Sequence, residues 1–201
     1  MCAIVGFVGD DYTALAAVFQ ESRVRGLHAF GYAYGNGKEI VVRKFETLHG
    51  LKFQLLKDRP KSLVGHCRYS TSGDWKDPRN NQPIVRFGRA LVFNGVIDMG
   101  TKEEMERRHG VDLETENDGE LALWALNKWS DVRSITPKQS FAGLWTDASG
   151  VIHVARNERR PAWVGQVGET TIIASTADIL ERAGINHRAE LPVGQRMVQS
   201  L

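Results

Sequence analysis

The order of apolar runs and turn signals predicts an α+β fold, in which antiparallel sheet is layered with helices. Three observations carry this. Two stretches, GYAYGNGKEIVVRKF and FAGLWTDASGVIHVAR, read as β-hairpins at well-separated points of the chain. Helical segments fall around them without the regular strand–helix–strand alternation of a doubly wound parallel sheet. No repeat, low-complexity segment or Pro/Gly/Ser-rich linker divides the 201 residues, so residues 1–201 read as a single domain.

In chain order, CAIVGFV is an apolar run closed by Gly9-Asp10 and reads as a buried strand. Asp10 or Asp11 can cap a helix running to about Arg25, with Leu15, Val18, Phe19 and Ser22 near one face and Gly26 as its stop. The first hairpin is expected to turn at Asn36-Gly37, a pair suited to a type I′ turn because both central residues need positive φ. SLVGHCRYST reads as a strand running into a polar loop, and ALVFNGVID as a short strand stopping at Asn94-Gly95. Thr101 and Glu104 form a capping box, and Asn117 or Asp118 opens a second helix, GELALWALNKW. The second hairpin turns between Asp147 and Gly150. TTIIAST is a strand, followed by a helix that Thr176 can cap and Gly184 can end.

Composition excludes several classes. A formal net charge of +2 gives no electrostatic footprint for nucleic acid or a membrane surface. The basic clusters RVRG and RNERR lack interleaved aromatics and read as solvated faces or local anion contacts. No apolar run approaches the ~20 residues of a membrane span, and no secretory signal is visible. Two cysteines, Cys2 and Cys67, make no disulfide framework. The expectation is a soluble, cytoplasmic protein with both thiols free.

Four stretches carry residues suited to chemistry. Cys2 follows the initiator methionine. It is either a small buried hydrophobe of the first strand or, once Met1 is removed, a terminal residue carrying both a thiol and an α-amine. Such an amine has a reference pKa of ~7.7–8.0 and serves as a base at neutral pH. In GHCRYSTSG, Arg68 can clamp a carboxylate with its two-pronged fork, with Ser70, Thr71 and Ser72 around the same anion, or it is a surface arginine in a turn. In VFNGVID, Asn94 and Gly95 form either a plain turn or an oxyanion hole aimed by a side-chain amide and a backbone N–H. In ETENDGEL, four carboxylates precede a helix. Capping and dipole complementation account for some of them, while Asp118 can bind an ammonium group. The histidines are scattered, and no pair has the spacing of a structural zinc site, so no metal is expected.

In combination and in this order, MCAIVGF, GHCRYST, FNGVID and ENDGE closely resemble the class II glutamine amidotransferases, N-terminal-nucleophile hydrolases with a mature N-terminal cysteine. RGLHAFGYA and IASTADIL extend the resemblance over residues 2 to about 197. It implies a four-layer αββα sandwich and hydrolysis of L-glutamine to glutamate and ammonia through a γ-glutamyl thioester on Cys2. By the same resemblance, Asn94 and Gly95 match the oxyanion hole, Arg68 the α-carboxylate clamp with Tyr69 and Thr71 beside it, and Asp118 the partner of the α-ammonium. No cofactor is implied.

Three departures from the family pattern stand out. His28 stands where many members have aspartate, Tyr69-Ser70 where many have Trp-Ala, and Gln82 where many have histidine. Members usually fuse this domain to a synthase that consumes the ammonia. The expectation here is a stand-alone glutaminase that hands ammonia to a separate synthase. The competing readings are an N-terminal-nucleophile hydrolase of another amide and a catalytically silent regulatory subunit.

Overall fold

The computed structural model describes residues 1–70, 73–134 and 139–198. Strand β1 (Ala3–Val8) leads to helix α1 (Tyr12–Ser22), which Asp11 caps by accepting the Ala14 N–H at 2.9 Å. Tyr12, Leu15, Val18, Phe19 and Ser22 form the buried stripe of α1, and a 3₁₀ turn (Arg23–Arg25) ends it at Gly26. Strands β2 (Ala29–Gly35) and β3 (Ile40–Phe45) make the first hairpin.

The turn of that hairpin differs from the expected two-residue type I′. Gly35 pairs with Ile40, so four residues make the loop, and only Gly37 has positive φ. The Asn36 side-chain oxygen instead accepts the N–H groups of Lys38 and Glu39 at 3.0 Å, which closes a wider turn without a left-handed asparagine.

Helix α2 (Leu48–Asp58) is absent from the predicted elements. Its buried residues are only Leu48, Leu51 and Leu55, and Gly50 sits in its first turn, so its apolar signal is thin. Thr47 caps it through the Gly50 N–H at 3.2 Å.

The chain continues through β4 (Ser62–Arg68), β5 (Ile84–Arg86), β6 (Arg89–Val96), α3 (Lys102–His109) and α4 (Gly119–Trp129). It ends with β7 (Ser140–Thr146), β8 (Ile152–Arg156), β9 (Trp163–Val167), β10 (Thr170–Ala174), α5 (Ala177–Arg182), β11 (Arg188–Glu190) and β12 (Gly194–Val198). The Thr101–Glu104 capping box forms in full at α3. At α5, Thr176 takes the cap position without making a capping bond.

Two antiparallel sheets result, ordered β11-β9-β10-β1-β4-β2-β3 and β12-β8-β7-β6-β5. Their facing surfaces enclose Ile4, Val64, Val92, Leu144 and Ile173. Helices α1, α2 and α5 cover the outer face of the first sheet around Phe7, Phe19, Leu51 and Ile179. Helices α3 and α4 cover the outer face of the second around Phe93, Met105, Leu121 and Phe141. This is a four-layer αββα sandwich, as expected. Among the described residues, no helix is long and apolar enough to cross a membrane.

Strand alternation sorts side chains between the layers. Ile4 and Val64 face the other sheet, whereas Ala3, Val5 and Cys67 face the helices. Ala3 pairs with Cys67 and Ile4 with His66, so Cys2 lies one step beyond the ladder, next to Arg68.

Candidate active site

The site gathers at the end of the sandwich where β1 begins and β4 and β6 finish. The Cys2 Sγ donates to the Tyr69 carbonyl at 3.3 Å, and the Arg25 Nε donates to the Cys2 carbonyl at 3.0 Å. A pocket of about 20 Å³ opens here, lined by Cys2, Arg68, Tyr69, Gln82, Gly95 and Asp118 among others. That is room for about one water, so a larger ligand enters only if a wall shifts outward. Burial pushes the Cys2 thiol up, only partly offset by the nearby Arg68 charge. The thiol therefore does not ionise unaided near neutral pH and needs a local base.

Arg68 is 2% exposed, not the surface arginine of a turn. Its guanidinium donates to the Asn81 side-chain oxygen, to Ser70 Oγ at 3.2 Å and to the Gly73 carbonyl at 3.2 Å. These acceptors orient the guanidinium fork at the end of β4. Gly26 lets the segment after α1 press against this strand end, because a Cβ there would land on the Cys67 carbonyl oxygen.

At the end of β6, both peptide groups of Phe93 are held by side chains. Its N–H donates to Gln82 Oε1 at 2.6 Å, and its carbonyl accepts from His66 Nε2 at 3.2 Å. Burial pushes His66 down to about 3, so it is a neutral donor at working pH. The next residue, Asn94, is 2% exposed, and its Nδ2 has no partner. A buried amide donor left unpaired is costly, and it is the feature expected of a site that supplies a bond only to a ligand. Gly95 must be glycine, since a Cβ would fall on the Ser140 carbonyl oxygen of β7.

Asp118 sits at the N-cap position of α4 but makes no capping bond there. Asn117 caps instead, accepting the Gly119 N–H at 3.0 Å. Asp118 Oδ2 accepts the Ile97 and Asp98 N–H groups at 2.7 and 3.2 Å. Burial raises the Asp118 carboxyl to about 6, against the lowering effect of these N–H groups.

The other carboxylates of ETENDGEL have structural partners. Glu120 is fully buried, pairs with Arg86 and accepts the Glu114 and Thr115 N–H groups at 2.9 and 2.8 Å. Glu120→Ala leaves Arg86 and two backbone donors without this acceptor. We expect a loss of about 3–5 kcal/mol in denaturant unfolding, and a loss under about 1 kcal/mol contradicts this role.

Of the residues singled out from the sequence, Cys2, Arg68, Tyr69, Gly95 and Asp118 line one pocket, with Asn94 in the adjoining interior. Thr71 and Ser72 lie outside the described residues. Gln82, Asn81, His66 and Arg25 were not among the predicted site residues. Their parts depend on contacts 11 to 27 positions away in sequence, and no local pattern signals them. Among the described residues, no group of three or more His, Cys, Asp or Glu is placed to hold a metal ion.

No protein-family model matches the chain. Over 218 aligned positions it is 22% identical to the amidophosphoribosyltransferase of Bacillus subtilis (strain 168), an alignment covering 98% of this chain and 45% of that enzyme. The chain is thus similar, over nearly its whole length, to a class II glutamine amidotransferase. Its fold is shared by the glutamine phosphoribosylpyrophosphate amidotransferase from B. subtilis solved with ADP and GMP. That match has a TM-score of 0.74 and 20% identity, and covers all of this chain and 49% of that one. A structure described as the allosteric regulatory enzyme of purine biosynthesis matches with a TM-score of 0.71 and 19% identity, over 100% and 49% of the two chains. The chain thus spans about half the length of the relatives it matches.

Proposed function

We propose that the chain is a glutaminase domain, residues 1–201, that hydrolyses L-glutamine to glutamate and ammonia. The observation that carries this is a single pocket lined by a thiol, a buried guanidinium and a buried carboxylate. A free amino acid needs one anion clamp and one cation clamp to be held in register with a nucleophile, and Arg68 and Asp118 are of those two kinds.

In this reading Met1 is removed, and Cys2 presents its thiol and α-amine together. The amine takes the thiol proton as Sγ attacks the side-chain amide carbon of glutamine. The tetrahedral oxyanion forms against Asn94 Nδ2 and the Gly95 N–H. Collapse breaks the C–N bond, and the proton passes from the amine, through water, to the departing ammonia. Water then cleaves the γ-glutamyl thioester, giving glutamate and restoring the thiol. Arg68 holds the α-carboxylate with Tyr69 and Thr71 alongside, and Asp118 holds the α-ammonium. The ammonia passes to a separate synthase. A cytoplasmic location belongs to the same proposal, because the nucleophile must stay reduced.

The test is glutamate release from glutamine by protein whose intact mass shows Met1 removed, with and without candidate synthases. Absence of glutamate under every condition overturns the proposal.

The ammonium clamp requires Asp118 as carboxylate. Since its carboxyl sits at about 6, it is ionised above that pH and protonated below it. We expect kcat/KM for glutamine to fall by about tenfold per pH unit on the acid side of about 6. Asp118→Asn should remove that limb from the profile at a lower plateau, and an unchanged acid limb in the variant argues against the assignment.

A further inference from the structure

His28, which lies outside the segment that follows Arg68, touches that segment at several described residues. The His28 backbone N–H donates to the Arg68 carbonyl at 3.0 Å. The His28 Nδ1 accepts the Ser70 N–H at 2.9 Å. Its ring stacks on Tyr69 with centroids 5.0 Å apart and on Trp75 at 5.6 Å. One side chain thereby ties both ends of the segment 69–75. That segment supplies Ser70 Oγ and the Gly73 carbonyl to the Arg68 guanidinium, and Ser70 Oγ also donates to the Gly73 carbonyl at 3.0 Å. A cleft of about 460 Å³, lined by His28, Lys44, Trp75 and Asn81 among others, opens beside this stack. The His28 ring thus lies between this open cleft and the residues that supply acceptors to Arg68.

We propose that His28 is a positioning residue for substrate binding, which sets the geometry of the Arg68 clamp through the loop 69–75. This rests on the reading of Arg68 as the carboxylate clamp. His28 supplies two things at once, a hydrogen-bond acceptor at Nδ1 and a planar ring between two aromatic residues. A carboxylate at this position offers the first and not the second.

The two contributions separate by substitution. His28→Asn places an oxygen where Nδ1 stands and removes the ring, while His28→Phe keeps the ring and removes the acceptor. In Met1-processed protein, His28→Ala should raise KM for glutamine about tenfold with kcat within about twofold, the loss expected for one hydrogen bond plus an aromatic stack. Asn and Phe should each recover part of it. Unchanged KM in the Ala variant overturns the proposal, as does a fall in kcat alone or an equal loss in all three variants.

Chymotrypsin cleavage after Tyr69 and Trp75 reads the same lock without turnover. We expect cleavage several-fold faster in His28→Ala than in the parent and intermediate in His28→Asn. Equal rates overturn the proposal. An inactive parent overturns the functional reading, whereas the cleavage rates still decide whether His28 orders the loop.

Discussion

Cys2→Ala should leave the protein folded and abolish glutamate release. Cys2 lies outside the β1 ladder and is only partly buried, so removal of its sulfur opens no sealed core cavity. We expect the denaturant midpoint to move by an amount typical of a surface substitution, within about 0.5 kcal/mol. Activity is a different matter, because in the proposed mechanism the thiol forms and releases the covalent intermediate. Cys67 is no substitute. It faces α1 rather than the pocket, is fully buried, and burial raises its pKa well beyond the usual thiol range. Electrospray mass after incubation with a glutamine-analogue electrophile gives the second readout, one adduct on the parent and none on the variant. Residual turnover above the uncatalysed rate in Cys2→Ala would place the nucleophile elsewhere.

Asn94→Ala should cost about 10²–10³ in kcat, with KM for glutamine changed far less. The buried Nδ2 has no partner, so in the proposed mechanism its bond forms when the oxyanion does. Truncation removes an unpaired polar group as well as bulk. The fold should therefore tolerate it better than it tolerates loss of a satisfied asparagine such as Asn117, which donates to the Asn80 carbonyl and caps α4. Steady-state kinetics on the mature enzyme checks this. A fall in kcat below about fivefold would mean that the backbone N–H of Gly95 carries the oxyanion alone.

Local rules were readable wherever the chain satisfies its own backbone nearby. Asp11, Thr101 with Glu104, and the turn at Asp147–Gly150 all act within a few positions of themselves, and their elements form as expected. Asn36 shows the limit of such rules. The same residue pair that favours a two-residue turn also permits a side-chain-closed loop, and the Gly37 N–H bond to the Ala148 carbonyl of the other hairpin decides between them. Helix α2 escaped because three leucines suffice to dock it on a sheet already built. In the site, the motifs named Cys2, Arg68, Tyr69, Gly95 and Asp118 of the pocket lining but not Gln82, nor the groups that aim the others. The Arg68–Asn81, Phe93–Gln82 and Phe93–His66 contacts join segments that only the sandwich brings together. The carboxylate run before α4 looked uniform in sequence, and burial sorted it into a structural Glu120 and a pocket-facing Asp118.

Strand β1 lies between β4 and β10, inside the larger sheet rather than at its edge, while Met1 just ahead of it is 60% exposed. Cys2, the proposed nucleophile, is thus fastened to an interior strand of the larger sheet, and Met1 ahead of it points into solvent. Extra residues fused before Cys2 should be accommodated without unfolding. They would convert the α-amine into an amide nitrogen with no basicity. An affinity tag at that end therefore makes a folded but latent protein, and a protease cutting directly before Cys2 makes it a laboratory on-switch.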